Sequence, residues 1–327
     1  MSNATYNYEL LKKSMQTASM VFCSLALVVG VLGNGLVIFI TGFRMKKTVN
    51  TVWFFNLAIA DIFFIFLLYF ARAALIIQSD MSLPLCKANG TLLFFTLFAS
   101  VYLLMVISID RCISVWYPVW AQNHRTPRLA SFVVLGVWIL ALVLCSPVLY
   151  FWETEVNPID MARHNCSNVY GEFEVLSDPA MVISRFIFAF VIPFSVILIC
   201  YGAIVLKLRR TQLSPSSKPY TVITAVIVPF FAFWLPYYVF LFIDMKYGTQ
   251  LNLQMTLYIG LPLVSCLAFI NSCLNPIFYV FMGQNFREAL RRSLFSAFED
   301  AFTEDVRQTA TANKTNLQQR RNPNDEF

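Results

Sequence analysis

The chain has 327 residues, of which 58% are hydrophobic and 13% charged, with a formal net charge of +6. Soluble domains run nearer ~45–50% apolar and ~25% charged, so this surplus cannot be hidden inside a water-soluble globule. The composition excludes a disordered chain, a disulfide scaffold and a soluble α/β enzyme. With 2 His and 8 scattered Cys, and no CxxC or HExxH pattern, it also offers almost nothing for a metal cluster.

A helix needs about 20 mostly apolar residues to cross ~30 Å of hydrocarbon. Ser14 to Phe43 is free of charge and forms the first expected span. The second, roughly Thr51 to Ile77, is interrupted by Asp61 and Arg72. Ala88 to Ile109, Leu129 to Trp152, Phe186 to Leu206 and Pro219 to Ile243 are uncharged and supply the third to sixth. Tyr247 to Phe286 is uncharged over a length sufficient for a seventh span and both its ends. Buried core helices of ~10–14 residues would be shorter than any of these. Pro147, Pro193, Pro236, Pro262 and Pro276 predict kinks. The expected fold is all-α, a seven-transmembrane helix bundle.

Charge sets the expected orientation. The turns after spans one, three, five and seven carry Arg44, Lys46, Lys47, Arg125, Arg128, Lys207, Arg209, Arg210, Lys218, Arg287, Arg291 and Arg292. The alternate turns carry Asp80, Glu153, Glu155, Asp160, Glu172, Glu174 and Asp178. The positive-inside rule makes the first set cytoplasmic, the amino terminus extracellular and the carboxyl terminus cytoplasmic. Residues 1–18 are expected as an extracellular tail without a signal-peptide core, so that span one directs insertion. Residues 19–282 form the membrane domain, 283–300 an amphipathic surface helix and 301–327 a flexible cytoplasmic tail. Asn3-Ala4-Thr5 is a glycosylation acceptor on the outer side. Phe286, Leu290, Leu294 and Phe298 recur at helical spacing among arginines, the pattern of a helix lying on lipid headgroups.

Ionisable groups inside spans cost ~2.5–3.5 kcal/mol each on insertion scales and therefore mark function. Here they are Asp61, Arg72, Asp110, Arg111 and Arg185. Their neighbours form ordered motifs: Gly33-Asn34, Leu57-Ala58-Ile59-Ala60-Asp61, Asp110-Arg111-Cys112, Trp138, Pro193 with Tyr201, Phe233-Trp234-Leu235-Pro236, and Asn275-Pro276-Ile277-Phe278-Tyr279. One motif lies on each of seven spans. Together they resemble the signature positions of rhodopsin-like (class A) G-protein-coupled receptors over roughly residues 19–300. Arg44 to Thr51, Pro118 to Thr126, Asn271 to Pro276 and Met282 to Glu288 further resemble the chemoattractant subgroup: formyl-peptide, chemerin and chemoattractant-type prostaglandin D receptors and orphan relatives.

The resemblance implies roles residue by residue. Asp110 holds Arg111 in the resting state, and Trp234, Pro236, Tyr201, Asn275, Pro276 and Tyr279 take part in activation. Cys112 stands where Tyr is commoner. Asp61, Ser100, Asn271 and Asn275 match a buried sodium site; a water-mediated polar network is the plainer reading of the same residues. No other cofactor is implied. Cys86 and Cys166 match the disulfide that tethers the large outer loop. Arg185 and Arg72, with Phe94, Phe98, Tyr237, Tyr238, Leu261 and Ser265, match the ligand cavity. A buried guanidinium suits a bidentate carboxylate, while an arginine paired within the protein or reaching to the membrane surface is the alternative. Formyl-peptide receptors carry Asp where this chain has Phe94 and a second Arg where it has Met181, which argues against a formyl-methionine ligand. The acidic outer loop is either a solvated face or a guide for a cationic peptide.

The implied partners are an extracellular peptide or anionic lipid chemoattractant, an inhibitory-type heterotrimeric G protein, arrestin, receptor kinases and membrane lipids, with no nucleic acid. Thr303, Thr309, Thr311 and Thr315 are candidate phosphorylation sites in the tail. No nucleophile–base pair or phosphate loop suggests an enzyme. An opsin would need a lysine between Tyr247 and Phe286, and there is none. The alternative within the family is a non-signalling scavenger receptor, which usually carries a damaged Asp-Arg motif; here the motif is intact.

Overall fold

A computed structural model of the chain describes residues 3–77, 83–151, 179–211, 218–247, 259–260, 263–267, 270–276 and 286–292. Among the described residues the regular structure is helical, with no strand. We label the helices α1 (Asn3–Phe39), α2 (Val49–Ile77), α3 (Leu83–Trp116), α4 (Pro118–His124), α5 (Pro127–Phe151), α6 (Pro179–Phe186), α7 (Ile192–Thr211) and α8 (Lys218–Tyr247). The stretches Thr17–Arg44, Val49–Ala71, Ala88–Trp116, Pro127–Pro147 and Val182–Lys207 are each long and apolar enough to cross a membrane. α8 follows, and Leu263–Pro276 is a shorter apolar segment.

α1 starts at Asn3, so part of the segment expected as a tail is helix continuous with the first span. Residues 3–18 contain neither Gly nor Pro, and Glu9, Leu10, Leu11, Lys12 and Lys13 are good helix formers. α6 and α7 are one span, interrupted by a π-helical turn at Ile187–Val191. Pro193 lacks the N–H that would bond to the carbonyl of Ala189, and the backbone absorbs that gap as a wider turn. Pro147 sits inside α5, and Pro229 and Pro236 inside α8.

α3 is the hub, packed on α2, α5 and α7. In its apolar window 72% of residues are buried, against 28% in α5, whose Phe132, Leu135, Leu142 and Val143 face outward to lipid. With lipid outside, helix association rests on close packing and interhelical hydrogen bonds rather than on apolar burial from water. Gly33 illustrates the first: a Cβ there would lie 3.1 Å from the Pro276 ring, so glycine permits the first and seventh spans to meet. Asn34 illustrates the second. Its Nδ2 donates to the carbonyls of Gly30 and Ser272, each at 3.0 Å. Trp138 Nε1 donates to Asn56 Oδ1 at 3.3 Å, joining α5 to α2.

Candidate functional site

Three groups of polar residues lie along the bundle. The first is near the end opposite the basic turns. Arg185, in the last turn of α6, is 7% exposed, and its guanidinium carbon lies 3.9 Å from the centre of the Phe94 ring on α3. A desolvated cation over an aromatic face is worth ~2 kcal/mol or more, which offsets part of the cost of burying the charge. Tyr238 is buried within electrostatic reach of Arg185. Phe186 meets both Tyr238 and Phe242 edge-on, with centroids 5.3 and 5.0 Å apart. Tyr237 stands edge-on to Trp234 at 5.6 Å, and Trp234 packs against Phe64 at 5.7 Å. Phe98 is buried one turn below Phe94 on α3, and Ser265 is half-buried. The arrangement is a buried cation on the Phe94 face beside a cluster of aromatic rings from the fifth and sixth spans.

Sequence reading did not single out Phe64, Phe186, Phe190 or Phe242. Phe186, Phe190 and Phe194 are spaced four apart and stack successively at 5.4 and 5.8 Å, a periodicity that could have drawn attention to them. The side chains of Arg72, Cys86 and Asn3 lie outside the described residues, as do Cys166, Leu261, Tyr279, the acidic outer loop and the tail threonines.

The second group lies mid-bundle. Asn275 Nδ2 donates to Asp61 Oδ2 at 2.6 Å, and Ser100 Oγ donates to Asp61 Oδ1 at 3.4 Å. Asn271 Oδ1 is buried and accepts no hydrogen bond among the described residues. One carboxylate, a hydroxyl and an unmatched amide oxygen are the donor set of a hard monovalent cation, so these residues fit sodium. Among the described residues no group of three or more His, Cys, Asp or Glu could hold a metal of another kind.

The third group lies at the basic end. Asp110 is held by Arg125: Nε donates to Oδ1 and Nη2 to Oδ2, both at 2.7 Å. Arg111 donates to Asn50 Oδ1, which also accepts from Arg125 Nη2 at 2.6 Å. α4 returns the chain so that Arg125 can reach Asp110 with a planar fork, which matches a carboxylate. In sequence Arg125 counted as a loop charge, and it and Asn50 entered only within the strings that carry the subgroup resemblance, with no role of their own. Tyr201 is half-buried on α7, and Pro236 and Pro276 lie in the sixth and seventh spans.

The model of the 7 transmembrane receptor (rhodopsin family) matches residues 33–279. This chain belongs to the rhodopsin family of seven-transmembrane receptors. The receptor is 42% identical to chemerin-like receptor 1 of Mus musculus over 301 residues, spanning 88% of this chain and 80% of the relative. It is 39% identical to the Homo sapiens protein of the same name over 300 residues, 86% of this chain and 79% of that one. N-formyl peptide receptor 3 of Macaca mulatta is 42% identical over 301 residues, 88% and 86% of the two chains. These relatives support the chemoattractant subgroup of class A G-protein-coupled receptors. The receptor is therefore a multi-pass plasma-membrane protein with a seven-helix fold, in a family of receptors rather than enzymes.

Proposed function

We propose that the receptor binds an extracellular chemoattractant, a peptide or an anionic lipid, through a carboxylate gripped by Arg185, and passes the signal to an inhibitory-type heterotrimeric G protein. The observation that carries this reading is Arg185 itself, a buried cation on the face of Phe94 where formyl-peptide receptors resemble this chain except for an acid. A carboxylate at Phe94 would neutralise Arg185 from within, whereas an aromatic ring stacks on the guanidinium without cancelling its charge. Arg72, Phe98, Tyr237, Tyr238, Leu261 and Ser265 complete the proposed cavity.

In the proposed orientation the amino terminus, with Asn3 glycosylated, is extracellular, and Cys86 is bonded to Cys166. The basic end and the carboxyl tail face the cytoplasm, where positive charge is retained. Ligand contraction around Arg185 and Trp234 is transmitted past Asp61 to Arg111, with Tyr201 and Tyr279 supporting the open state. Sodium held by Asp61, Ser100, Asn271 and Asn275 would favour the resting arrangement by bridging spans that must shift. Receptor kinases and arrestin act on the tail threonines.

The deciding experiment is a screen of peptide and lipid chemoattractants against cells expressing the receptor, reading cyclic AMP. A fall in cyclic AMP with at least one carboxylate-bearing agonist is expected. Agonists that bind without any nucleotide exchange on a heterotrimer would overturn the signalling reading.

A further inference from the structure

At its basic end the first span does not close in an ordinary helical turn. Ile40–Arg44 is π-helical, sealed by the Met45 N–H donating to the Ile40 carbonyl at 2.9 Å. Hydrogen bonds in such a turn reach five residues instead of four, and wide turns of this kind recur at functional sites. Here the extra residue decides what lies over Phe39. Phe43, four residues on, meets its ring with centroids 6.1 Å apart. The guanidinium carbon of Arg44, five residues on, lies 5.5 Å from the centre of the same ring. Along a regular α-helix, five residues would carry Arg44 about 140° round from Phe39.

The opposite side of the turn is seated on α2, where a Cβ on Gly42 would lie 3.2 Å from the Phe55 ring. Phe39 and Phe43 face away from the bundle, and Phe43 is 77% exposed. Arg44 is exposed, Met45 is extended, and the exposed Lys46 and Lys47 follow. Residues 39–50 contain no acid, and among the described residues no ion pair reaches Arg44, Lys46 or Lys47.

We propose that this turn seats one anionic phospholipid, its acyl chain along Phe39 and Phe43 and its headgroup phosphate on Arg44, with Lys46 and Lys47 completing the charge. The rings give an apolar surface that acyl chains cover and that water or a soluble anion would not. The planar guanidinium beside them matches a phosphate with two parallel hydrogen bonds. Three uncompensated cations exceed the charge of one phosphodiester, so the occupant is a lipid whose headgroup is itself phosphorylated. This seat is on the outside of the bundle, goes beyond the proposed signalling role and does not depend on it.

The test is native mass spectrometry of the full-length receptor in detergent micelles, titrated with phosphatidylinositol bisphosphate or with phosphatidylcholine. The wild type should retain one bisphosphate lipid and release phosphatidylcholine. A basic side chain at a charged lipid surface strengthens binding about fivefold, so Arg44→Gln should weaken retention by roughly that factor. Lys46→Gln combined with Lys47→Gln should weaken it further. Phe43→Ser, at an open position and with every charge kept, should weaken it as well. Arg209→Gln combined with Arg210→Gln, at the basic end of the fifth span, should bind as the wild type does. Equal loss in that last variant would mean a diffuse basic surface and overturns the seat. Phosphatidylcholine held as tightly as the bisphosphate lipid overturns it too. So does soluble inositol trisphosphate that binds as tightly as the lipid, because the rings would then contribute nothing.

Discussion

Arg125 grips both carboxylate oxygens of Asp110 at 2.7 Å and shares Asn50 Oδ1 with Arg111. Three charged groups and one amide are thus tied together where α2, α3 and the chain after α4 converge. Arg125 neutralises the carboxylate beside Arg111, and a planar guanidinium at this end of the bundle is well made to meet a signalling partner.

Removing Arg125 should therefore quiet the receptor. Arg125→Ala leaves Asp110 to Arg111, and basal nucleotide exchange on a purified heterotrimer should fall severalfold. Asp110→Asn should raise it, since neither arginine is then neutralised by that side chain. Adding Arg125→Ala to Asp110→Asn should have little further effect; a large additional drop would mean that Arg125 acts on the partner directly.

The aromatic seat of Arg185 makes its own forecast. Loss of a charge-assisted hydrogen bond is worth about 1.5–3 kcal/mol, so Arg185→Ala should weaken a carboxylate agonist by roughly 10- to 150-fold while surface expression persists. Phe94→Asp should do the same without removing the cation, because the new carboxylate occupies it. Equal potency across wild type and Phe94→Asp would show that no ligand anion meets Arg185.

Around Asp61, radioligand binding titrated with sodium chloride against choline chloride is the relevant measurement. Wild-type agonist affinity should decline as sodium rises, and Asp61→Asn should abolish that dependence. Asn271→Ala, which removes the buried unmatched oxygen, should weaken sodium sensitivity. Sodium dependence that survives Asp61→Asn would leave the plainer polar network as the reading.

Packing is tested at Gly33. Its missing Cβ would sit 3.1 Å from Pro276, and overpacking commonly costs about 1–3 kcal/mol. Gly33→Leu should lower the melting temperature by several degrees and reduce surface expression, whereas the same change at Gly35, with nothing within 4 Å, should be tolerated.

Much of the mid-bundle site was legible in advance. Asp61 is an acid inside a span, which lipid makes too costly to be incidental, and its partners Ser100 and Asn275 sit on motif positions of their own. Arg185 was legible for the same reason. Its support was not: an aromatic on an apolar helix is indistinguishable in sequence from ordinary packing, so Phe94 as a seat, and the contact of Phe186 with Phe242, emerged only from how the helices meet. The helix from Asn3 was missed because hydropathy locates lipid-crossing stretches and is silent about polar turns that extend them.

From the amino-acid order alone came the all-helical class, the spans and the intramembrane charges, because each follows from local chemistry: a charge-free run long enough for hydrocarbon, or an ion that hydrocarbon penalises. Partner choice was decided in three dimensions. Nothing local ties Asp110 to Arg125: a planar fork delivered fifteen residues later by α4 reaches the carboxylate only once the helices have packed.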